Sequence, residues 1–421
     1  MSDLLKPWQP SGRDPWDRDA ASHLWRRAGF GAPPRLLDET LRRTPAEAAD
    51  LVADGPEKDP ATEELDGLHR VLFGMESADQ YRAWLVMRMV RCGHQLREKT
   101  ALFWHGHFAT SLSKVREPVW MMRQYDLFLN LGLGPFPKLL ASIVRDPAMI
   151  RWLDNDSNRK GHPNENFARE LFELFTLGPG NYTEKDIREA ARAFTGWLVL
   201  NDRFRFSKQY HDGGTKTVFG RTGSWGGDDI LEITLEREAC VRFLGRKLLQ
   251  YFVVPNPSEE LVDAVGAELR ASDYDTGAVL RMLFRSRAFY DPLVRRSLVK
   301  SPLEYTVGAI RCLNAKPDTA ALLPSLREMG QELLAPPNVK GWPGQEQWVH
   351  TAAWLARINT AERLASRADV SLRGEAAILR YGRDLLGRPV PDEAKKTLLQ
   401  SGAGSRDLVR ALLSLPEYHV N

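Results

Sequence analysis

The chain has 421 residues, of which 43% are hydrophobic and 27% charged, the balance of an ordinary folded globular protein. The 58 Lys and Arg residues against 55 Asp and Glu give a net charge of +3, which excludes the strongly basic surface typical of a nucleic-acid-binding protein. Its three cysteines, Cys92, Cys240 and Cys312, form no C-x-x-C pair, which argues against a thiolate zinc site and a disulfide framework.

The hydropathy pattern argues against a membrane protein. No run of sequence approaches the roughly 20 apolar residues that a membrane-spanning helix needs. Pro, Asp and Arg interrupt the apolar residues at the beginning of the chain, so the apolar region of a signal peptide is missing there. We therefore expect a cytoplasmic protein without a transmembrane segment.

Helical patterns dominate the chain. From Gln80 to Phe103, apolar residues recur three and four apart and predict a long amphipathic helix weakened at Gly93. A second helix is predicted for NENFARELFELFTLG, which ends at Gly178. A third follows Thr183, where Asp186 gives a variant of the capping box. Further helices are predicted near residues 236–251, 258–271, 275–287, 301–313, 321–334 and 347–368.

Residues 198–234 interrupt this helical pattern. Short alternating runs and several glycines predict a small β-hairpin or a long ordered loop there. Because every other predicted element is helical, we expect an all-α globular protein with this one excursion. The polar stretch SRADVSLRGE separates a main helical domain, residues 1–368, from a small C-terminal helical appendage, residues 371–421.

Two histidines, His105 and His107, lie in the apolar stretch TALFWHGHFATS. Neutral imidazole is the commonest protein ligand for metals, and an H-x-H pair with carboxylates from elsewhere suits zinc, iron or manganese. On an α-helix, residues two apart point in nearly opposite directions, so both can reach one ion only if the helix breaks near Gly106. The alternative is one buried histidine bonded to a backbone carbonyl and another that faces solvent.

The predicted helix that starts at Asn166 offers carboxylates. Its apolar residues cover most of the circumference and leave a polar stripe with Arg169, Glu170 and Glu173. A helix this apolar is expected to be buried, and buried carboxylates need a partner or a metal ion. The alternative is an Arg169–Glu173 ion pair, which leaves only Glu170 to be explained.

The segment before this helix is similar to a calcium-binding loop. Asp154, Asp156, Asn158 and Glu165 occupy positions 1, 3, 5 and 12 of that pattern. Arg159 stands where the pattern needs a glycine for its sharp turn, so calcium ranks behind zinc, iron or manganese as the predicted ion. An Asx-rich turn that leads into a helix cap explains the same residues without an ion.

Two further motifs carry residues with alternative roles. His211 and Asp212 in HDGGTKTVFG suit a metal ligand with its orienting carboxylate, a general base, or a plain Asp turn. In PPNVKGWPGQEQW, Trp342 and Trp348 flank a stiff loop. That loop either packs against the helices or offers aromatic faces to a sugar or a peptide.

The chain resembles a large, uncharacterised bacterial family, domain of unknown function 1800. The resemblance runs in order from about His23 to about Trp354 through the blocks HLWRRAGFG, FWHGHFATS, PNENFARELFELFTLGPGNYTEKDIREAARAFTGW, HDGGTKTVFG and PPNVKGWPGQEQW. It implies a largely helical, soluble protein and brings no established reaction. Relatives in this family are often exported and are often encoded beside a second uncharacterised family. The resemblance therefore implies a partner protein from that neighbouring family.

The resemblance also implies a shared site, because polar residues concentrate in these blocks. We expect a metal-dependent hydrolase or a related acid–base enzyme with an unidentified substrate. A divalent ion would be bound by His105, His107, Glu170 and His211. The block residues are His105, His107, Asn164, Glu165, Asn166, Arg169, Glu170, Glu173, His211, Asp212, Lys216, Asn338, Lys340 and Trp342.

The other predicted roles complete this hypothesis. Glu170 is a ligand or the general base, Glu173 is a second carboxylate, and His211 with Asp212 is a ligand or proton shuttle. Arg169 and Lys216 bind an anionic group of the substrate.

Two alternatives remain. One is a binding or scaffold protein that recognises a saccharide or a partner protein through aromatic loops, in which the histidines and acids form a buried hydrogen-bond network. The other is an acid–base site without a metal.

Overall fold

The computed structural model describes residues 2–316, 318–368 and 370–421. Within these residues the chain forms 23 α-helices, one π-helix, four short 3-10 turns and two small antiparallel sheets. The predicted all-α fold is confirmed. None of the described helices is both long enough and apolar enough to cross a lipid bilayer.

Up to residue 193, all the regular elements of the described chain are helices. The α-helices among them are α1 (Arg18–Ala28), α2 (Pro34–Thr40), α3 (Pro45–Asp54), α4 (Pro60–Met75), α5 (Ala78–Arg91), α6 (Gln95–His107), α7 (Leu112–Val115), α8 (Pro118–Leu131), α9 (Phe136–Ile143), α10 (Pro147–Trp152), α11 (Asn166–Glu170) and α12 (Glu184–Ala193). A π-helix, Leu171–Thr176, continues α11 directly.

Two β-hairpins occupy the predicted excursion, where one was expected. Strand β1 (Trp197–Leu200) pairs with β2 (Arg203–Phe206), with Trp197 opposite Phe206. Strand β3 (Lys216–Val218) pairs with β4 (Arg221–Gly223), with Lys216 opposite Gly223. The excursion is also shorter than predicted, because residues 227–234 belong to a helix.

Helices complete the rest of the chain. They are α13 (Gly227–Leu235), α14 (Glu238–Phe252), α15 (Glu259–Ala271), α16 (Thr276–Leu283), α17 (Arg287–Tyr290), α18 (Pro302–Leu313), α19 (Thr319–Glu328), α20 (Thr351–Arg367), α21 (Gly374–Leu386), α22 (Asp392–Gln400) and α23 (Ser405–Leu413).

The long helix predicted for residues 80–103 is in fact two helices. Cys92 leaves the helical conformation, and the Gly93 N–H donates to Asp59 Oδ2 at 2.7 Å. A Cβ atom at Gly93 would lie 2.7 Å from the Pro56 ring, so only glycine fits this contact. The break lets α5 and α6 point in different directions while both pack into the core.

Helix α6 lies at the centre of the fold. Eleven of its thirteen residues are buried, including the charged Glu98 and Lys99. Glu98 pairs with Arg88 at 2.8 Å, and Lys99 pairs with Glu304. A helix that is buried all round is a core element, so the side chains of α6 meet protein on every side. This position determines the environment of both candidate histidines.

The segment predicted as an appendage contributes to the same core. Helices α21 and α23 pack against α18 and α20. The Arg18 guanidinium pairs with Asp384 at 3.0 Å, and the Tyr418 hydroxyl donates to the Tyr305 carbonyl at 2.8 Å. Val420 forms a β-bridge with Val299. Residues at both ends of the chain therefore hold this segment against the main body.

Candidate functional site

The two histidines of the HGH motif lie on opposite sides of α6. The helix continues through Gly106 and ends at His107, so the break that a shared ion would require does not occur. Residues two apart on a helix diverge by about 200°. His105 accordingly faces α8 and the segment 334–342, whereas His107 faces the π-helix and α14.

His105 is a buried residue that holds a backbone group. Its Nε2 accepts a hydrogen bond from the Leu334 N–H at 3.0 Å, so the ring proton lies on Nδ1. Nδ1 is buried and has no hydrogen-bond partner among the described residues. Burial, with a smaller contribution from the Arg82 charge, lowers the pKa of His105 to about 3. The imidazole therefore stays neutral and structural at physiological pH.

His107 makes the corresponding contact on the other side. Its Nε2 donates to the Phe175 carbonyl of the π-helix at 3.0 Å. Burial and the nearby Lys247 charge lower its pKa to about 3. The ring packs edge-on to Phe108, with centroids 4.7 Å apart. Each histidine thus links the end of α6 to a different neighbouring segment.

The four predicted metal ligands do not form one group. His105 and His107 point apart, Glu170 lies near Lys340, and His211 bonds to the Thr195 carbonyl. Residues 2–316, 318–368 and 370–421 contain no group of three or more His, Cys, Asp or Glu side chains spaced to hold a metal ion. The predicted ligand set therefore does not fit a shared ion.

The carboxylates Glu170 and Glu173 lie where α11 becomes a π-helix. The Leu177 N–H donates to the Phe172 carbonyl at 2.9 Å, five residues back, and the Thr176 hydroxyl donates to the Leu171 carbonyl at 2.5 Å. Such i-to-i+5 segments are rare and occur frequently at functional sites. The sequence predicted a regular α-helix here and gave no sign of the widened turn.

Arg169 does not pair with Glu173, as one of the predicted alternatives required. Its guanidinium binds Glu184 through two hydrogen bonds of 2.8 and 2.7 Å and Glu165 through one of 3.1 Å. Two carboxylates already neutralise this arginine, which ties α11 to α12. Neither Glu170 nor Glu173 forms a salt bridge with any residue that the structure describes.

Glu170 is half-buried and lies near one other carboxylate and two positively charged side chains. Burial is the largest influence on this carboxyl and raises its pKa, and the neighbouring Glu173 raises it further. The Arg169 and Lys340 charges oppose this increase. Lys340 is exposed and belongs to the segment that also contacts His105. Glu170 therefore retains its proton to a higher pH than an ordinary glutamate does.

Tyr182 joins Glu173 and was not predicted as a site residue. Its hydroxyl donates to Glu173 Oε2 at 2.9 Å. Burial and the Glu173 carboxylate raise the pKa of Tyr182 to about 12, so the phenol remains a hydrogen-bond donor. The one sequence signal was its place in the same family block as Glu173, nine residues further on.

The calcium-loop residues hold the loop together individually. Asp154 pairs with Lys114 at 2.7 Å, and Asp156 pairs with Arg151 at 3.1 Å. Asn158 accepts from the Asn164 N–H at 2.9 Å, whereas the partner of Glu165 is Arg169. These side chains point to different partners, as in the Asx-rich turn that was the alternative to a calcium site.

His211, Asp212 and Lys216 form a compact loop of their own. Asp212 accepts from Arg192 Nε at 2.8 Å, which holds the pKa of this carboxyl down at about 2. His211 Nδ1 donates to the Thr195 carbonyl at 3.0 Å. Lys216 is buried and donates to the backbone carbonyls of Asp212 and Gly214. These side chains fix the loop, and Lys216 is not free to bind a substrate anion.

The loop that follows Leu334 packs onto the end of α6. The Trp342 ring lies edge-on to His105, with centroids 4.9 Å apart, and Trp348 is buried. Gly341 has φ +86°, and a Cβ atom there would lie 2.3 Å from the Gly106 carbonyl oxygen. Both tryptophans are therefore packing residues, and Trp342 helps to close the core around His105.

Comparison with known proteins agrees with the resemblance seen in the sequence. A family model described as "Protein of unknown function (DUF1800)" matches residues 23–420. The chain belongs to this family. No curated protein and no solved structure matches it. The DUF1800 match continues through residues 371–420, which agrees with the packing of that segment into the common core.

A cleft opens on this DUF1800 chain next to Tyr182. It consists of a larger hollow of about 820 Å³ beside the start of α14 and a smaller one of about 560 Å³ beside Tyr182. Asn181, Phe219 and Arg237 line both hollows and so join them. None of the predicted catalytic or metal-binding residues lines the cleft. Tyr182 connects it to Glu173 through the hydroxyl hydrogen bond.

Proposed function

We propose that this protein is an acid–base enzyme, a hydrolase whose reacting groups are Glu170 and Glu173. One observation carries the proposal. Two half-buried carboxylates without a salt-bridge partner lie together at the junction of α11 and the π-helix, with a tyrosine hydroxyl donating to one of them. Pairs of titratable groups with different environments are the usual basis of acid–base assignments.

Glu170 is suited to the role of general acid. Its pKa is raised by burial and by Glu173, so a larger fraction of it is protonated near neutral pH than of an ordinary glutamate. General acids work best when their pKa lies near the working pH. In this proposal Glu170 donates its proton to the leaving group of the scissile bond.

Glu173 is suited to the role of general base. The Tyr182 hydroxyl donates to one of its oxygens at 2.9 Å and holds the carboxylate in place. The other oxygen is then available to accept a proton from an attacking water. Tyr182 acts here as a positioning residue, because it acts through Glu173.

A divalent ion remains a separate prediction. Glu170 and Glu173 are the site carboxylates with unengaged oxygens, but His105 and His107 face other segments, so no step of this proposal is assigned to a metal. Elemental analysis of protein purified without a chelator checks whether zinc, iron, manganese or calcium is bound.

The proposal is tested with chromogenic 4-nitrophenyl esters, glycosides and phosphates across a range of pH. We expect the wild-type protein to hydrolyse at least one class. Glu170→Gln and Glu173→Gln should each lower the rate by about 10²- to 10⁴-fold, the usual contribution of a general acid or base. The wild-type rate should fall on the alkaline side as Glu170 loses its proton, and Glu170→Gln should remove that dependence.

Glu165→Gln is the matched control. Glu165 precedes α11 and already pairs with Arg169, which keeps Glu184 as a second partner. Its substitution should leave the rate unchanged. Equal rates for the wild type and Glu170→Gln on every substrate class would contradict the proposal, provided that both proteins show the same folded circular dichroism spectrum.

A second candidate function has its own supporting observation. His105 and His107 hold backbone groups in the core, which favours a binding or scaffold protein whose polar residues fix the fold. In that case the protein recognises a saccharide or a partner protein, such as one from the neighbouring family. A wild-type protein that hydrolyses none of the probes would favour this candidate.

A further inference from the structure

The cleft beside α14 has the size of a small-molecule site. Its larger hollow, about 820 Å³, falls within the roughly 300–1,000 Å³ typical of ligand pockets. One wall is the segment 177–181 that follows the π-helix, and the opposite wall is the first turns of α14. Phe219, in the turn between β3 and β4, closes one side.

Arginines dominate the charge of this hollow. Four arginines line it, against two glutamates. The glutamates face arginines themselves: Glu236 pairs with Arg221 at 2.5 Å, and Glu238 lies 4.0 Å from Arg270. Glu236 therefore offsets Arg221, and neither glutamate pairs with Arg237, Arg242 or Arg246.

Arg237 and Arg246 are the lining arginines whose guanidinium groups keep unpaired N–H donors. Arg237 lines both hollows and forms no salt bridge with a described residue. Arg246 pairs with Glu259 through Nη2 at 2.6 Å, which fixes the guanidinium and leaves its other nitrogens unpaired. Arg242, in contrast, binds both Glu259 and Asp263. A guanidinium presents paired N–H groups that match a phosphate or a carboxylate.

The surroundings add further positive potential. Lys247, one residue beyond Arg246, is half-buried without an acidic partner among the described residues, and its ammonium lies 5.3 Å from the centre of the Phe243 ring. Its pKa is lowered by burial, and its charge also acts on His107. Arg237, the residue before α14, makes no side-chain cap, so the positive end of the helix dipole faces the same region.

Aromatic and aliphatic side chains line the rest of the hollow. The Arg237 guanidinium lies over the Phe219 ring at 4.8 Å. Phe243 lines the wall between Arg242 and Arg246, with Leu177 and Ile233 nearby. A purely inorganic anion would leave this apolar surface unused, so the lining favours a ligand with an apolar or aromatic part.

We propose that this cleft is a binding site for a phosphomonoester that carries an aromatic or apolar group. Arg237 and Arg246 hold the phosphate, and Phe219 with Phe243 contacts the apolar part. Arg237 and the neighbouring Lys247 have no acidic partner among the described residues, and these two positive charges match a dianion better than a monocarboxylate. The proposal rests on the cleft residues alone and does not require Glu170 or Glu173 to be catalytic.

Calorimetric titration with phenyl phosphate tests the site directly. We expect wild-type protein to bind phenyl phosphate more tightly than inorganic phosphate, benzoate or phenol, and binding should weaken as salt is added. Arg237→Gln and Arg246→Gln should each lower the affinity about tenfold or more, as expected when a charge-assisted hydrogen bond is lost. Binding also stabilises the folded state, so phenyl phosphate should raise the wild-type melting temperature.

Arg205→Gln is the matched control, because Arg205 is exposed on β2 and does not line the cleft. It should bind phenyl phosphate as the wild type does. Affinities for phenyl phosphate that are the same in wild type, Arg237→Gln and Arg246→Gln would overturn the proposal. Equal binding of inorganic phosphate would overturn the role of the apolar wall, and equal binding of benzoate would overturn the preference for a dianion. Because the readout is binding, these outcomes are independent of any hydrolysis.

Discussion

His105 holds the segment after α19 against the centre of the protein. Its Nε2 accepts from the Leu334 N–H, while the Leu334 carbonyl accepts from the Leu112 N–H at 3.0 Å. One imidazole therefore satisfies a buried backbone donor that has no place in a helix or a sheet. A buried donor left without a partner costs about 1–3 kcal/mol.

Two substitutions of His105 distinguish the contribution of its hydrogen-bond acceptor from that of its aromatic ring. His105→Phe keeps an aromatic ring but removes the acceptor, so we expect it to lower the free energy of unfolding by about 1–3 kcal/mol. His105→Gln offers an amide oxygen to the Leu334 N–H and should lower it less. Urea unfolding at neutral pH measures both. A phenylalanine variant as stable as the wild type would show that the hydrogen bond to Leu334 contributes nothing.

The lowered pKa of His105 also predicts how the free energy of unfolding depends on pH. The pKa of His105 is about 3 in the folded protein and about 6.5 in an unfolded chain, so the unfolded state binds more protons between these values. The free energy of unfolding should thus fall as the pH decreases from about 6.5 toward 3. His105→Gln should reduce this fall, because glutamine does not titrate. An unchanged pH dependence in His105→Gln would contradict the prediction.

At the scale of single elements, the sequence predicted correctly those features that depend on residues close together in the chain. The Thr183 and Asp186 capping box forms as predicted at the start of α12. The π-helix was missed, because the same residues suit a regular α-helix and the extra residue in the turn is stabilised by contacts elsewhere. One such contact is the His107 hydrogen bond to the Phe175 carbonyl. Glu173 bonds to Tyr182 and not to Arg169, its partner in one of the two alternatives that the sequence left open.

The loop between Leu334 and Trp342 depends on one glycine. Gly341 has a backbone conformation that side chains rarely adopt, and an added Cβ would clash with the Gly106 carbonyl. We expect Gly341→Ala to lower the free energy of unfolding by about 1–3 kcal/mol, because positive φ is strained for alanine and the loop must move from α6. Chemical denaturation monitored by tryptophan fluorescence measures the loss, since Trp342 lies in this loop.

Gly344→Ala is the control for this prediction. Gly344 has an extended backbone, and an added Cβ would meet no atom within 4 Å. Its substitution should change stability by less than about 0.5 kcal/mol, as is usual for a surface site. If both variants behave alike, the close approach of Gly341 to Gly106 does not contribute to stability.

At the scale of the whole molecule, periodicity was enough for the fold class and the approximate helix positions. The site required knowledge of distances between remote segments, which no local pattern contains. His105 and His107 illustrate this: both were recognised as unusual, but their hydrogen-bond partners lie 229 and 68 positions away in the sequence. The sequence singled out Glu170 and Glu173 as candidates because carboxylates on so apolar a helix need a partner.

The sequence predicted residues 371–421 to be a small helical appendage to the main domain. Their contacts with the main body instead predict that a mutation in this segment affects the thermal unfolding of the whole protein. Tyr418 is buried against Tyr305 of α18, with ring centroids 5.2 Å apart and a hydroxyl bond to the Tyr305 carbonyl. Removing such a side chain costs about 3–5 kcal/mol. If residues 371–421 and the main body form one cooperative unit, Tyr418→Ala should lower the temperature of a single thermal transition rather than split it.

Scanning calorimetry and tryptophan fluorescence together show whether residues 371–421 unfold with the main body or independently of it. Tryptophans occur in α1, α5 and α6 but not after residue 354, and the Trp354 ring stacks on His419 of the C-terminal segment with centroids 4.3 Å apart. The experiment therefore uses a Trp354→Phe background, in which fluorescence reports on the main body. In one cooperative unit, Tyr418→Ala shifts the fluorescence transition together with the heat-absorption peak. Leu399→Ala, at an exposed position of α22, should shift neither. A heat-absorption peak that moves without the fluorescence transition would show instead that the segment unfolds independently.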